Sequence, residues 1–169
     1  MRLYVDMDGC LAKWNMQASV EDTYESGYFL HREPQENLVE AVRIISTVLP
    51  VCILSAVYTT GTAMADKERW LKEVGLGDVP RRFVPYGSPK HLYTDASGGP
   101  EVLIDDYSRN LHNWEQSGRT GIKFLNGING THGTWHGYTL DHQMDVPHLV
   151  RVITGIFLTA DMPVAKSLR

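Results

Sequence analysis

The residues with the clearest potential for chemistry are four aspartates near short apolar runs. Asp6 and Asp8 follow the apolar residues 3–5, and Asp105 and Asp106 form a second acidic pair. Residues two apart in an extended segment point the same way, so the carboxylates of Asp6 and Asp8 can face one cleft. Close carboxylates repel each other, and a divalent cation or an added proton relieves the repulsion. Hard oxygen ligands of this kind suit Mg²⁺.

Each acidic motif also has a purely structural interpretation. An isolated Asp-x-Asp at a strand end is typical of turn residues, and an Asp-Asp pair before a helix is typical of an N-cap. A calcium-binding loop is a further alternative, but it needs glycine at its sixth position and oxygen ligands at its fifth and twelfth. Counted from Asp6, those positions hold Leu11, Cys10 and Gln17, which excludes that interpretation.

A hydroxyl and a lysine occupy comparable places between the two acidic motifs. Ser55 follows the apolar residues 51–54, and Lys90 ends the segment 86–90. Taken singly, the serine is typical of a turn and the lysine of a solvated surface. The order of acids, hydroxyl, lysine and acid pair, with Asp6, Ser55 and Asp105 each directly after a predicted strand, favours a shared site over chance.

The elements that must position these residues alternate between strands and helices. The apolar pattern predicts strands at residues 3–5, 51–54, 83–84, 102–104 and 122–125, and helices at residues 35–49, 63–74, 107–114 and 146–157. Asp145 is a plausible N-cap of the last helix, and a loop with four glycines precedes it. This alternation predicts an α/β fold, a three-layer Rossmann-like domain with a parallel sheet and helices on both faces. Ligands of such sheets bind at the carboxyl ends of the strands.

Composition bounds the class of protein. At 169 residues the chain is expected to form one domain, residues 1–169. Its net charge of −4 argues against stable nucleic-acid binding. Two cysteines make no disulfide framework, and no segment resembles a signal peptide or a membrane span, so we expect a reduced, cytoplasmic protein without a membrane partner. The amphipathic last helix is best explained by core packing, and a homodimer face remains open.

The four elements together resemble those of the haloacid-dehalogenase-like phosphohydrolases. The matching segments, which span residues 1 to about 125, are Asp6-Met7-Asp8-Gly9-Cys10-Leu11, Ile53-Leu54-Ser55, Lys90, and Leu103-Ile104-Asp105-Asp106. Within that superfamily the chain is most similar to the 5'(3')-deoxyribonucleotidases of the cytosolic type and their bacterial and phage relatives. This second similarity includes the segments 33–34, 39–42 and 122–127.

The resemblance implies a mechanism and a set of roles. Asp6 is the expected nucleophile that forms an aspartyl-phosphate, and Asp8 is the expected general acid and base. Mg²⁺ would be held by Asp6, by the backbone carbonyl of Asp8 and by one carboxylate of the following acidic pair. The nucleotidase pattern favours Asp106 as that ligand, with Asp105 behind it.

The resemblance assigns the phosphate oxygens to a hydroxyl and a lysine. Ser55 and Lys90 are the expected phosphate-binding residues. Lys67 is a rival for the lysine role, and Lys90 is preferred because it precedes the acidic pair along the chain, as the family lysine does.

Substrate choice in this superfamily comes from a cap after the first motif. Here a small helical cap is expected at about residues 13–34, a segment rich in aromatic residues: Trp14, Tyr24, Tyr28 and Phe29. Each ring can pack the cap on the core or stack on a nucleobase. Trp14 is the strongest candidate for base contact because it lies eight residues after Asp6, where the nucleotidases have such an aromatic residue. Tyr24 and Tyr28 are weaker candidates.

The predicted function is therefore Mg²⁺-dependent hydrolysis of ribo- or deoxyribonucleoside monophosphates. The alternative enzymatic substrates are another small phosphate ester or a polynucleotide 3'-phosphate. A receiver-type signalling domain would carry its acidic pair on the first strand, which this chain does not, and a non-catalytic binding domain would not need all four elements. His132, His136 and His142 fit no standard zinc spacing and are interpreted as solvated loop residues. The base, the sugar and the 5' or 3' position stay open.

Overall fold

A parallel sheet organises the computed structural model, which describes residues 1–59, 61–95, 99–129 and 134–160. Its six strands are β1 (Arg2–Val5), β2 (Val51–Val57), β3 (Arg81–Pro85), β4 (Glu101–Asp105), β5 (Thr120–Leu125) and β6 (Tyr138–Asp141). They lie in the order β3-β2-β1-β4-β5-β6. Strands β2 and β3 are added in turn on one side of β1, and the chain then crosses over to place β4 on the other side of β1. The boundary between β1 and β4 is therefore a topological switch point.

Helices cover both faces of the sheet, as the sequence predicts. The α-helices are α1 (Glu36–Ile45), α2 (Ala63–Glu73), α3 (Ser108–Gln116) and α4 (Val146–Thr159). Strand residues point alternately to the two faces, so Leu3 and Val5 pack in the core with α1, α2 and α4, while Tyr4 packs with Trp114 of α3. The three-layer α/β architecture is thereby confirmed.

Several boundaries differ from the sequence predictions for local reasons. Strand β2 runs on to Val57, because β3 pairs with it along its whole second half, so Ser55 lies within the strand and not after it. Helix α1 ends at Ile45, where the hydroxyls of Ser46 and Thr47 donate to helix carbonyls and compete with its continuation. Asp145 does cap α4, since its side chain accepts from the backbone N–H of His148 at 2.8 Å.

Strand β6 falls where the sequence predicted only a glycine-rich loop. It lies at the edge of the sheet, and Leu140 is its one buried apolar residue. A single buried position carries no alternation to detect. Gly130 and Gly133 of that loop, and His132 with them, lie outside the described residues.

The segment expected to form a cap folds mostly as turns. Among residues 13–34, all of which are described, regular helix is limited to the 3-10 helix Asp22–Tyr24. A bridge between Ala12 and Pro34 closes the base of the segment. The indole N–H of Trp70 on α2 donates to the carbonyl of Arg32 at 2.7 Å and docks the segment on the domain. Its role as a cap stays a prediction.

No described helix combines the length and the apolar composition that crossing a membrane requires.

Candidate active site

The carboxyl ends of β1 and β4 bring the acidic residues together at one end of the sheet. The backbone N–H of Asp6, the first residue after β1, donates to the carbonyl of Ile104 on β4 at 2.9 Å. Asp105 is the last residue of β4, and Asp106 follows it. The switch point therefore brings the two acidic motifs together, although about a hundred residues separate them along the chain.

Lys90 joins the two acidic motifs directly. Its ammonium lies 2.7 Å from Asp6 Oδ1 and 2.7 Å from Asp105 Oδ2, and only 3% of its side chain is exposed. Burial by itself would lower the pKa of this lysine, but the Asp105 and Asp6 carboxylates outweigh it, so the pKa is raised. Lys90 therefore remains a fixed positive charge beside the Asp6 carboxylate.

Asp105 and Asp106 have different surroundings. Asp105 is fully buried and accepts from the backbone N–H of Tyr107 at 2.8 Å, from the Asn110 side chain and from Lys90. Burial raises the pKa of Asp105 to about 6, against the opposing influence of Lys90. The Asp106 carboxylate accepts from Asn126 at 3.0 Å, and burial together with Asp105 and Asp6 raises its pKa well above the usual range. Asp106 is thus the carboxylate of the pair that is held by fewer protein donors.

The donor set near Asp106 fits a hard divalent cation. One possible ligand atom from each of Asp6, Cys10 and Asp106 lies within 4.8 Å of the others, and these form the candidate metal cluster found among the described residues. Burial raises the pKa of the Cys10 thiol well above its usual value, and the nearby Asp106 and Asp6 carboxylates raise it further. A neutral thiol is a poor ligand for Mg²⁺, so the two carboxylates are the groups that would hold it.

Asp8 lies against the second lysine, which the sequence left as a rival. The Lys67 ammonium pairs with the Asp8 carboxylate and donates to Ser55 Oγ at 2.9 Å. Burial raises the pKa of Asp8, while Lys67 opposes the shift. Both lysines therefore belong to the site, with different partners. Ser55 itself is fully buried, and its hydroxyl contacts Lys67.

A cavity of about 450 Å³ opens above these groups. Its lining combines carboxylates with aromatic rings: Asp6, Asp8, Asp106, Trp14, Phe29, Tyr58, Tyr86 and Tyr107, with Thr23, Ala56 and Val57 between them. Trp14, the strongest aromatic candidate of the sequence analysis, thus shares a cavity with the acidic residues. Volumes of this order are usual for sites that bind small molecules.

The two weaker aromatic candidates lie elsewhere. Tyr24 stacks on Tyr58 with ring centroids 4.4 Å apart and lines a neighbouring pocket of about 270 Å³. Tyr28 packs edge-on against Phe29, and its buried hydroxyl has no hydrogen-bond partner within the described ranges. Neither ring lines the larger cavity.

Three tyrosines of the cavity were missed by the sequence analysis. Tyr58 directly follows β2, Tyr86 directly follows β3, and Tyr107 follows the acidic pair after β4. The rule that drew attention to the aspartates, namely position at the carboxyl end of a parallel strand, applies equally to these rings. Their position at the strand ends is therefore the sequence signal for these rings as well.

The same fold occurs in two solved structures of D,D-heptose 1,7-bisphosphate phosphatases. The protein from Burkholderia thailandensis superposes with a TM-score of 0.62 at 12% identity, and the match covers 90% of this chain and 97% of that chain. The protein from B. bronchiseptica, in complex with magnesium and phosphate, superposes with a TM-score of 0.60 at 15% identity and covers 95% of this chain and 100% of that chain. At these identities the likeness establishes the shared fold.

Comparison of the sequence with protein-family models and with curated proteins finds no significant match.

Proposed function

We propose that this protein is a Mg²⁺-dependent phosphatase that hydrolyses ribo- or deoxyribonucleoside monophosphates through an aspartyl-phosphate on Asp6. The observation that carries the proposal is that one cavity is lined both by the Asp6, Asp8 and Asp106 carboxylates and by aromatic rings. The carboxylates suit phosphoryl transfer, and the rings suit a flat, stacking group. The resemblance of the four sequence elements to phosphohydrolases and the fold shared with two phosphatases support the same chemistry.

In the proposed reaction Asp6 attacks phosphorus while the bond to the leaving oxygen breaks. Asp8 donates a proton to that oxygen and then accepts one from the water that hydrolyses the aspartyl-phosphate, which releases phosphate and restores both aspartates. Lys90 and Ser55 are the proposed phosphate-binding side chains, and the Lys90 ammonium, 2.7 Å from Asp6 Oδ1, offsets the negative charge around the nucleophile.

Asp6 and Asp106 are the proposed side-chain ligands of Mg²⁺, together with the Asp8 backbone carbonyl. The bound cation would neutralise the Asp106 carboxylate, which burial and repulsion from the neighbouring carboxylates make costly to ionise, and it would offset charge on the phosphoryl group. The structure with magnesium and phosphate from B. bronchiseptica supports this choice of metal for the fold.

The lining of the cavity favours a base over a second phosphate. The sugar bisphosphate in the names of the two structural neighbours carries a second anionic group, which needs a cation to receive it. Among the described residues that line this cavity there is no lysine or arginine, whereas Trp14, Phe29, Tyr58, Tyr86 and Tyr107 supply five rings. Stacking on an aromatic ring contributes about 1–3 kcal/mol per base.

The test is phosphate release from a panel of 5'- and 3'-monophosphates of ribo- and deoxyribonucleosides, with sugar phosphates and heptose bisphosphate included. We expect turnover of nucleotides with Mg²⁺ and none with a chelator. Asp6→Asn should lower kcat by about 10³-fold or more, because the nucleophile is lost.

The matched control is Asp78→Asn, which makes the same change at an exposed aspartate just before β3. This residue lies at the amino ends of the strands, away from the cavity at their carboxyl ends. The activity of this variant should equal that of the wild type. If the protein releases phosphate from sugar phosphates but not from nucleotides, the proposed phosphatase activity stands and the proposed nucleotide substrate is wrong. No release from any ester by folded protein would reject the phosphatase.

A further inference from the structure

We propose that Lys67 is a positioning residue that holds the general acid Asp8 in place relative to β2. The inference rests on the proposed phosphatase chemistry and adds a residue to it. Lys67 lies on α2, and its side chain is fully buried, whereas 20% of the Asp8 side chain is exposed. The Lys67 side chain is fully buried and its three N–H donors all have protein acceptors, so it acts on a substrate only through the residues that it contacts.

The geometry of the ammonium leaves it no freedom to turn. An ammonium has three N–H donors, and Lys67 has three acceptors: the Asp8 carboxylate, Ser55 Oγ at 2.9 Å and the Ala56 carbonyl at 2.7 Å. Two of these acceptors belong to β2, a central strand of the sheet. The Asp8 carboxylate is therefore tied to the rigid part of the domain.

An aromatic ring also contacts the Lys67 ammonium at this buried place. The Lys67 ammonium lies 4.4 Å from the centre of the Phe29 ring, over its face, and Phe29 is itself buried. A buried cation is stable only when it is paired and fully hydrogen-bonded, and the cation–π contact adds to both. Phe29 and Asp8 both line the cavity, so Lys67 contacts two residues of the cavity lining.

The role follows from what a general acid must do. As the bond from phosphorus to the leaving oxygen breaks, Asp8 passes its proton to that oxygen, and it later takes a proton from water. Lys67 takes no part in this proton transfer, and its ammonium pairs with the Asp8 carboxylate that forms. A carboxyl group that is free to rotate reaches the leaving oxygen less often, and misplacement by about 1 Å can cost about 100-fold in rate.

The test separates positioning of the acid from folding and from binding by using two leaving groups. A nucleoside leaves as an alkoxide that needs a proton, whereas 2,4-dinitrophenolate leaves without one. The quantity to compare is kcat/KM, which reports the steps up to transfer of the phosphoryl group to Asp6. For Lys67→Met we expect a loss of about 100-fold or more for the nucleotide and of less than about 10-fold for 2,4-dinitrophenyl phosphate.

Two controls make the result specific. Lys72→Met removes an exposed lysine from the same helix and should match the wild type on both esters. In an Asp8→Asn background, Lys67→Met should cause no further loss of kcat/KM for the nucleotide, because the residue through which Lys67 acts is already disabled. In the Asp8→Asn background, Lys67→Met leaves no carboxylate without its partner. The comparison of Asp8→Asn with and without Lys67→Met therefore stands even if Lys67→Met alone does not fold.

Equal losses on the two esters, or a further loss in the Asp8→Asn background, would overturn the inference in favour of a structural or phosphate-binding role. Unchanged kcat/KM in Lys67→Met would overturn it as well. These outcomes differ from failure of the proposed function, in which the wild-type protein itself releases phosphate from neither ester.

Discussion

At the scale of single residues, Gly9 sets how closely the two acidic motifs approach. It follows Asp8 with a φ of +80°, a region that residues with a Cβ rarely adopt. A Cβ added there would lie 2.5 Å from Cγ and 2.9 Å from Oδ1 of Asp106. The Gly9 carbonyl also accepts from the Asn126 side chain, which donates to Asp106 as well. Gly9 is therefore part of the packing around the proposed metal ligand.

We predict that Gly9→Ala lowers both stability and Mg²⁺-dependent activity. The positive φ costs about 1–2 kcal/mol for alanine, and the new methyl group displaces the Asp106 carboxylate. Gly118→Ala is the matched control, because Gly118 has a φ of +83° with no atom within 4 Å of the added Cβ. Thermal unfolding should show a loss of stability in both variants, and a larger loss in Gly9→Ala because of its contact with Asp106. Only Gly9→Ala should lose phosphate release, and full activity of that variant would contradict the role given to Gly9.

At the scale of elements, the ends of the strands supply the aromatic wall as well as the acids. Tyr58 after β2 and Tyr86 after β3 have ring centroids 4.9 Å apart, and both line the cavity. Because the two strands are hydrogen-bonded neighbours, the positions of these rings are set by the sheet and not by segment 13–34 alone. The proposed base site is thus formed partly by the core domain.

We predict that Tyr86→Ala weakens nucleotide binding without altering the chemistry. Loss of one stacking ring should raise KM for the preferred nucleotide by about 5- to 150-fold, equivalent to about 1–3 kcal/mol. The kcat should stay close to the wild-type value, and glycerol phosphate, which has no ring to stack, should be cleaved as before.

The control for this prediction is Tyr138→Ala, at an exposed tyrosine of the edge strand β6 that does not line the cavity. It should leave KM unchanged. A fall in kcat for glycerol phosphate in Tyr86→Ala would instead mean that the ring supports the catalytic groups.

The elements that the sequence predicts well are those with a repeated burial pattern. Strands β1 and β4 bury every apolar position, and α4 combines its apolar stripe with the Asp145 cap, so composition and position agree. Strand β6 buries Leu140 alone, and the end of α1 depends on side-chain hydrogen bonds that no apolar pattern records. Local rules therefore identify the core and lose precision toward the edges.

The candidate site likewise contains residues that the sequence locates and contacts that it does not predict. The aspartates could be located because each lies at or just after the end of a recognisable strand, and the register of parallel strands then brings them together. The partners of the two lysines could not be assigned, because they depend on distances across elements. Lys67 is 59 residues from Asp8, and Lys90 is 15 residues from Asp105. Such pairings follow from tertiary packing and cannot be predicted from the spacing of residues along the chain.

At the scale of the whole molecule, the acidic site works against the stability of the metal-free protein. The pKa of Asp105 is raised from 3.8 to about 6, mainly by burial, and that of Asp106 is raised as well. Between about pH 4 and pH 6 these two carboxyl groups therefore bind more protons in the folded protein than in the unfolded chain. Their contribution to the free energy of unfolding consequently falls as the pH rises through that window.

We predict that the midpoint temperature of unfolding without metal is lower at pH 7.5 than at pH 5, and that Mg²⁺ restores it. Cation binding at 100 times its Kd stabilises the folded state by about 2.7 kcal/mol, which is about 5–10 °C for a chain of this size. The measurement is thermal unfolding at both pH values, in chelator and in Mg²⁺. Asp106→Asn should show no Mg²⁺ shift, because a ligand is lost. It should also unfold at a higher temperature than the wild type in chelator at pH 7.5, because one of the repelling charges is gone.

Asp78→Asn should retain both the pH dependence and the Mg²⁺ shift of the wild type, because that exposed carboxylate lies at the amino ends of the strands. If Mg²⁺ does not change the unfolding temperature of the wild-type protein, Asp6 and Asp106 do not form a metal site. An Mg²⁺ shift that survives in Asp106→Asn would instead move the ligand role to another group, of which Asp105 is the nearest carboxylate along the chain. The fully engaged hydrogen bonds of Asp105 argue against that outcome, since a carboxylate already held by Lys90, Asn110 and the Tyr107 backbone has to give up donors before it binds a cation.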